Sequence, residues 1–205
     1  MAGGSRSITP CPRREDMTTG FEAFWVSTGV VALGEIGDKT QLLALLLAAR
    51  FRKPVPIILG ILVATLANHA AAAALGEWLQ SLINPQWLRW GLGLSFLAVA
   101  VWMLIPDSVD DGDTAGTGRW GVFGVTVVAF FLAEMGDKTQ IATVMLAAQF
   151  KSLLWVTAGT TLGMMLANVP AVLFGERAVK LLPIAWVHRI AAAVFAVLGV
   201  LVLLS

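Results

Sequence analysis

The sequence predicts an all-α integral membrane protein with six transmembrane helices arranged as two inverted three-helix repeats. Of its 205 residues, 58% are hydrophobic and 13% are charged, whereas soluble domains have about 45–50% apolar and about 25% charged residues. The apolar residues form six stretches, each long enough for a span of roughly 20 residues. One charged heptad also occurs twice, 99 residues apart. The predicted fold class rests on these three observations.

The predicted spans follow from the positions of the apolar stretches, which are 21–49, 55–79, 88–105, 120–149, 153–179 and 183–204. We assign them as helices, because a backbone in hydrocarbon must satisfy its own hydrogen bonds and nothing in the pattern indicates a barrel. The chain then divides into a polar tail at 1–19, a first repeat at 20–105, an acidic linker at 106–119 and a second repeat at 120–205.

The N-terminal tail is polar and lacks the apolar core of a signal peptide. We expect it to be disordered, and either Met1 or Met17 can serve as the natural start. It contains Cys11, the single cysteine of the chain, so no internal disulfide is possible. The formal net charge of +1 gives no indication of nucleic-acid binding. The acidic linker lacks the ligand spacing of an EF-hand, which favours a solvated connection over a calcium loop.

The duplicated heptad reads EIGDKTQ at 35–41 and EMGDKTQ at 134–140. From Glu35 to Phe51 and from Glu134 to Phe150, ten of seventeen aligned positions are identical. Because three spans separate the copies, the second copy enters the membrane from the opposite side. Inverted repeats of this kind are common in secondary transporters, whose sites lie at the repeat interface near the bilayer midplane.

Each heptad places two carboxylates within apolar sequence. Glu35 and Asp38 are three residues apart and share a helix face, as do Glu134 and Asp137. An ionised side chain at the bilayer centre costs roughly 2.5–3.5 kcal/mol on insertion scales, which is a heavy cost without a function. A straight helix over the first stretch would also exceed the hydrocarbon thickness of about 30 Å. We therefore predict a broken or strongly tilted helix at each heptad, eased by its glycine.

Oxygen ligands dominate the predicted site. Its metal ligands are the four carboxylates of Glu35, Asp38, Glu134 and Asp137, and oxygens of this kind suit hard dications such as Mg²⁺, Ca²⁺ and Mn²⁺. Four carboxylates exceed the charge of one dication, so protons and metal should compete for them. Supporting or secondary roles are assigned to Thr40, Gln41, Thr139, Gln140, Asn68, Asn168, Lys39 and Lys138.

Two of these assignments have a structural alternative. The carboxylates and lysines could form ion pairs that merely hold the helices together, although the repetition of the whole heptad argues against that interpretation. Asn68 and Asn168 could make interhelical hydrogen bonds instead of facing the ion. His69 is a candidate proton relay. A one-residue slip in the offset of 99 aligns Asn68 with Asn168, so Val169 occupies the position in the second half that corresponds to His69.

The loop charges indicate the orientation of the spans. The residues Arg50, Arg52, Lys53, Arg119, Arg177 and Lys180 fall on one side of the six-span arrangement. Arg89 and Lys151 fall on the other side, together with the arginines of the tail. The positive-inside rule then places the first group in the cytoplasm and both termini outside.

The pair of Glu-x-Gly-Asp-Lys-Thr motifs, one in each half, resembles the Gdt-type cation/proton exchanger family. This family includes Golgi manganese and calcium transporters and bacterial manganese exporters. The resemblance covers about residue 20 to residue 205 and implies export of Mn²⁺ or Ca²⁺ in exchange for protons. We expect the chain to lie in the cytoplasmic membrane of a prokaryote, with the lipid bilayer, the cation and protons as partners and no cofactor. The choice between the two cations stays open, as do the stoichiometry, the oligomeric state and the resting conformation.

Two other functions fit part of the pattern. An intramembrane aspartyl-type enzyme needs two carboxylates that share a proton, whereas this chain offers four with adjacent lysines. A passive cation channel would conduct without a proton gradient. We expect a transporter that is not an enzyme, working by alternating access around a midplane carboxylate site.

Overall fold

The computed structural model describes residues 14–105, 121–175 and 184–204, and its regular elements in these ranges are all α-helices. In the first half they are α1 (Arg14–Glu35), α2 (Lys39–Phe51), α3 (Pro54–Leu82) and α4 (Pro85–Trp102). In the second half they are α5 (Gly121–Glu134), α6 (Lys138–Phe150), α7 (Leu153–Phe174) and α8 (Ile184–Leu204). Each of the six predicted stretches contains one or two of these helices.

Parts of the predicted division into tail, repeats and linker fall outside this description. The linker at 106–119 lies outside the described residues, as does the tail up to residue 13. Helix α1 begins at Arg14, so residues 14–19 of the range predicted to be disordered are helical. The sequence permits this longer helix because no proline occurs between Pro12 and Pro54.

Each heptad interrupts its span, as predicted. The interruption separates α1 from α2 and α5 from α6. Gly37 and Gly136 lie within it at φ values of 84° and 76°, a backbone conformation that glycine adopts at little cost. Asp38 and Asp137 are the N-cap residues of the following helices, with φ and ψ of −79° and 166° in one case and −79° and 165° in the other. The two interruptions therefore share one backbone geometry.

The helices of one half pack mainly against those of the other half. Helix α1 packs along α7, α3 packs against α5, α6 and α7, and α4 packs along α8. One buried apolar cluster is centred on Phe96 and Phe195, and a second contains Leu43, Ile57 and Phe130. Because α1, α3, α5 and α7 surround the interruptions, these packing contacts determine which heptad side chains meet.

Three helices of the described ranges are long and apolar enough to cross a membrane: Pro54–Leu82, Leu153–Phe174 and Ala185–Leu204. Large apolar side chains such as Leu154 and Val101 are exposed on the outside of the bundle. An exposed apolar surface of this extent is typical of a protein surrounded by lipid.

Candidate cation site

The two interruptions meet inside the bundle, where three carboxylates converge. One oxygen from each of Glu35, Glu134 and Asp137 lies within 4.8 Å of the others. The two glutamates are 0% exposed and Asp137 is 2% exposed. Oxygen ligands lie about 2.0–2.6 Å from Mg²⁺ or Ca²⁺, so two ligands of one ion are at most about 5 Å apart. One cation could therefore contact all three residues.

The fourth predicted carboxylate lies beside a lysine. Asp38 is buried, and its Oδ1 lies 3.8 Å from Nζ of Lys138. In the equivalent pair, Nζ of Lys39 lies 3.4 Å from Oδ1 of Asp137. Each heptad thus supplies the lysine that pairs with the aspartate of the other heptad. Lys138 also donates a hydrogen bond to the Ile105 carbonyl at 3.2 Å, which holds this buried ammonium in place.

The threonines contact carboxylates of their own heptads. Thr40 Oγ1 donates a hydrogen bond to Oε2 of Glu35, and Thr139 Oγ1 lies 3.5 Å from Oδ2 of Asp137. The other oxygens of the two glutamates, Oε1 of Glu35 and Oε1 of Glu134, are buried without a hydrogen-bond partner among the described residues. A buried polar atom without a partner costs free energy. A cation or a proton at these oxygens would remove that cost.

The glutamines hold the interrupted backbone. Gln41 Oε1 accepts a hydrogen bond from the Gly37 N–H at 2.9 Å, and Gln140 Oε1 accepts one from the Gly136 N–H at 2.7 Å. Gln41 Nε2 also donates to the Ala167 carbonyl on α7 at 3.0 Å. The amide oxygens of Gln41 and Gln140, to which the sequence assigned supporting or secondary roles, are thus engaged in stabilising the glycine turn.

The asparagines lie on α3 and α7 and make different contacts. Asn68 Nδ2 donates to the Phe131 carbonyl on α5 at 3.0 Å, which is an interhelical hydrogen bond. Asn168 Nδ2 donates to the Met164 carbonyl of its own helix at 3.1 Å. Its Oδ1 is buried without a hydrogen-bond partner among the residues that the structure describes. Asn68 therefore matches the structural alternative, while Asn168 keeps an oxygen for another partner.

His69, which the sequence suggested only as a candidate proton relay, lies beside the carboxylates. Its Nε2 is 3.3 Å from Oε2 of Glu134, and both side chains are 0% exposed. The available signal was a histidine beside Asn68 within an apolar span. Sequence reasoning gave it little weight because Val169 occupies the corresponding position in the other half.

The chain is similar to one family of transport proteins along most of its length. The profile of the family described as the divalent cation/proton antiporter GDT1 matches residues 23–111 and 122–205. A Vibrio cholerae protein named as a proposed manganese exporter is 50% identical over 189 residues, covering 92% of each chain. A GDT1-like protein of Synechocystis is 26% identical over 75% of this chain and 83% of its own length.

A GDT1-like protein of Oryza sativa subsp. indica is 28% identical over 76% of this chain and 64% of its own length. No solved structure gives a significant match to the chain.

Proposed function

The chain belongs to the GDT1 family of divalent cation/proton antiporters, and on this basis we propose that it exports Mn²⁺, Ca²⁺ or both from the cytoplasm in exchange for protons. The family consists of membrane cation transporters and not of enzymes. The observation that carries the proposal is the buried group of Glu35, Glu134 and Asp137, where both interrupted heptads meet. The cation is the transported substrate, and the proposal includes no cofactor.

The proposed ligands are Glu35, Asp38, Glu134 and Asp137. Together with Lys39 and Lys138 they carry a formal charge of −2 when every group is ionised, which one dication neutralises. Without the cation this buried charge is unfavourable, because the desolvation of ionised groups costs several kcal/mol each. Protons can replace a departing metal ion on the carboxylates. Because the carboxylates hold either the metal ion or protons, the fluxes of metal and protons are coupled.

Contacts between the halves support the proposed inverted repeat. A Cβ at Gly60 would lie 3.1 Å from the Phe123 carbonyl, and a Cβ at Gly159 would meet the Phe24 carbonyl. Gly60 and Gly159 are 99 residues apart, and so are Phe24 and Phe123. Each contact is therefore the counterpart of the other, with the two halves exchanged. The rings of Phe96 and Phe195, which are also 99 residues apart, have centroids 6.2 Å from each other. Reciprocal contacts are the property of a two-fold relation.

The proposed cycle uses alternating access. The carboxylates are 0–2% exposed, so a bound cation can leave only if the surrounding helices move. In the proposed six-span arrangement, metal binds from the cytoplasm as the acids release protons. The two halves then rock about the site, the metal leaves outside and protons reload the acids.

Transport by the purified full-length chain in liposomes tests this function. Uptake of Mn²⁺ or Ca²⁺ into the lumen should expel protons and raise the luminal pH, reported by a trapped dye. Protein-free liposomes supply the control. Metal flux without any pH change would favour the passive channel, and the absence of metal flux would contradict transport altogether.

A further inference from the structure

The two halves differ in the residue that follows the asparagine of α3 and of α7. The carboxylates, lysines, threonines, glutamines and asparagines of the site occur in both halves. His69 on α3 follows Asn68, whereas Val169 on α7 follows Asn168. The imidazole therefore adds to one side of the site a nitrogen that the other side lacks.

The geometry of His69 suits a ligand. Its Nε2 lies 3.3 Å from Oε2 of Glu134, and two neighbouring ligands held about 2.0–2.2 Å from one ion at right angles are roughly 3 Å apart. His69 is 0% exposed, and its Nδ1 has no hydrogen-bond partner in the described part of the chain. A buried histidine with a purely structural role normally has both ring nitrogens satisfied. Among the described residues, the ring of His69 thus makes one polar contact, which is to Glu134.

We propose that His69 contributes an imidazole nitrogen ligand to the transported cation and thereby favours first-row transition-metal dications over Ca²⁺ and Mg²⁺. This inference rests on the proposed function. Ca²⁺ and Mg²⁺ take oxygen ligands, whereas imidazole binds transition metals well. An all-carboxylate site would accept both classes of cation. A single nitrogen beside the carboxylates penalises the alkaline-earth ions selectively.

Replacing His69 with valine, the residue at position 169, tests the inference. We expect His69→Val to lower the ratio of Mn²⁺ to Ca²⁺ initial transport rates in liposomes at least tenfold, mainly through slower Mn²⁺ transport. Thr65→Val is the matched control, since Thr65 is buried on α3 one turn before His69. This control should leave the ratio unchanged.

His69→Gln separates a ligand from a hydrogen-bond donor. The glutamine amide can still donate to Glu134, but it offers a metal ion only an oxygen. A low Mn²⁺ to Ca²⁺ ratio in this variant supports the nitrogen ligand. A ratio equal to that of the unmodified chain would overturn the inference, because a positioning hydrogen bond would then suffice.

Pulsed electron paramagnetic resonance gives a direct readout that does not depend on transport or on the folding of a variant. Mn²⁺ bound to the unmodified protein should show a ¹⁴N coupling from a directly bound imidazole, and its absence would overturn the inference. Failure of the unmodified chain to transport either cation would instead contradict the proposed function. Normal transport with unchanged ratios in both His69 variants would contradict only the role of His69.

Discussion

At the residue scale, the carboxylates of Glu35 and Glu134 make equivalent contacts with different partners. Each has its Oε2 in contact with a neighbouring group, Thr40 in one case and His69 in the other. Each has its Oε1 buried without a hydrogen-bond partner among the described residues. A carboxylate held through one oxygen presents the other oxygen in a defined direction. In the proposed site, both glutamates would thus be oriented before a cation binds.

Neutralising one carboxylate should weaken cation binding at the proposed site. We expect Glu35→Gln and Asp137→Asn each to weaken Mn²⁺ binding at least tenfold, or about 1.4 kcal/mol, and to reduce transport to the level of protein-free liposomes. Calorimetric titration and liposome flux measure these effects. Glu77→Gln makes the same chemical change on α3 outside the carboxylate group and should behave like the unmodified chain. Unimpaired transport by both site variants would rule out the proposed ligand set.

At the element scale, the interruption of each span depends on one glycine. Gly37 and Gly136 adopt positive φ, and the N–H of each donates to the glutamine four residues later. This turn ends α1 and α5 at a glutamate and starts α2 and α6 after an aspartate. In a continuous helix, the glutamate and the aspartate of a heptad would lie along one straight helix face and would extend beyond the centre of the bundle. The interruption instead brings these carboxylates to one place.

Gly136→Ala should therefore destabilise the turn. A Cβ at Gly136 would meet nothing within 4 Å, so the cost comes from the left-handed backbone alone and is about 1–2 kcal/mol. Gly29→Ala is the matched control, because its Cβ also meets nothing within 4 Å but lies on helix α1. We expect a lower midpoint of thermal unfolding and slower transport for Gly136→Ala, and no loss for Gly29→Ala. Equal effects of the two substitutions would show that positive φ is not the cause.

At the scale of the whole molecule, reciprocal contacts join the halves. Lys39 pairs with Asp137 and Lys138 pairs with Asp38, so neither half completes its own ion pairs. Most helix packing also runs between the halves. The proposed site would therefore exist only when both halves are folded together, and a relative movement of the halves would alter every one of these contacts.

The proposed inversion predicts that the connections after equivalent helices face opposite sides of the membrane. Lys53 and Lys151 are exposed and follow α2 and α6, respectively. In a Cys11→Ser background, Lys151→Cys should react in intact cells with a membrane-impermeant maleimide, while Lys53→Cys should react only after permeabilisation. Labelling of both cysteines from the same side would contradict the inverted arrangement.

Much of the fold was predictable from the sequence because composition, apolar segments and repetition are properties of the linear chain. The positions of the helices and their interruption at the heptads followed from these properties. Two details were not predictable. The glutamine amides hold the glycine turns, and α1 begins within the predicted tail. Local hydrogen bonds and the extension of a helix depend on neighbouring groups, which a composition pattern does not contain.

The sequence alone determined the membrane class, the two related halves and the eight heptad side chains that carry charge or hydroxyl groups. Each of these follows from composition or from short stretches of the linear sequence. The tertiary structure decided which of them meet. It placed Glu35, Glu134 and Asp137 in one group, exchanged the lysines between the heptads, and brought His69 to Glu134. His69 and Glu134 are 65 positions apart in the sequence, and only the packing of α3 against α5 brings them together.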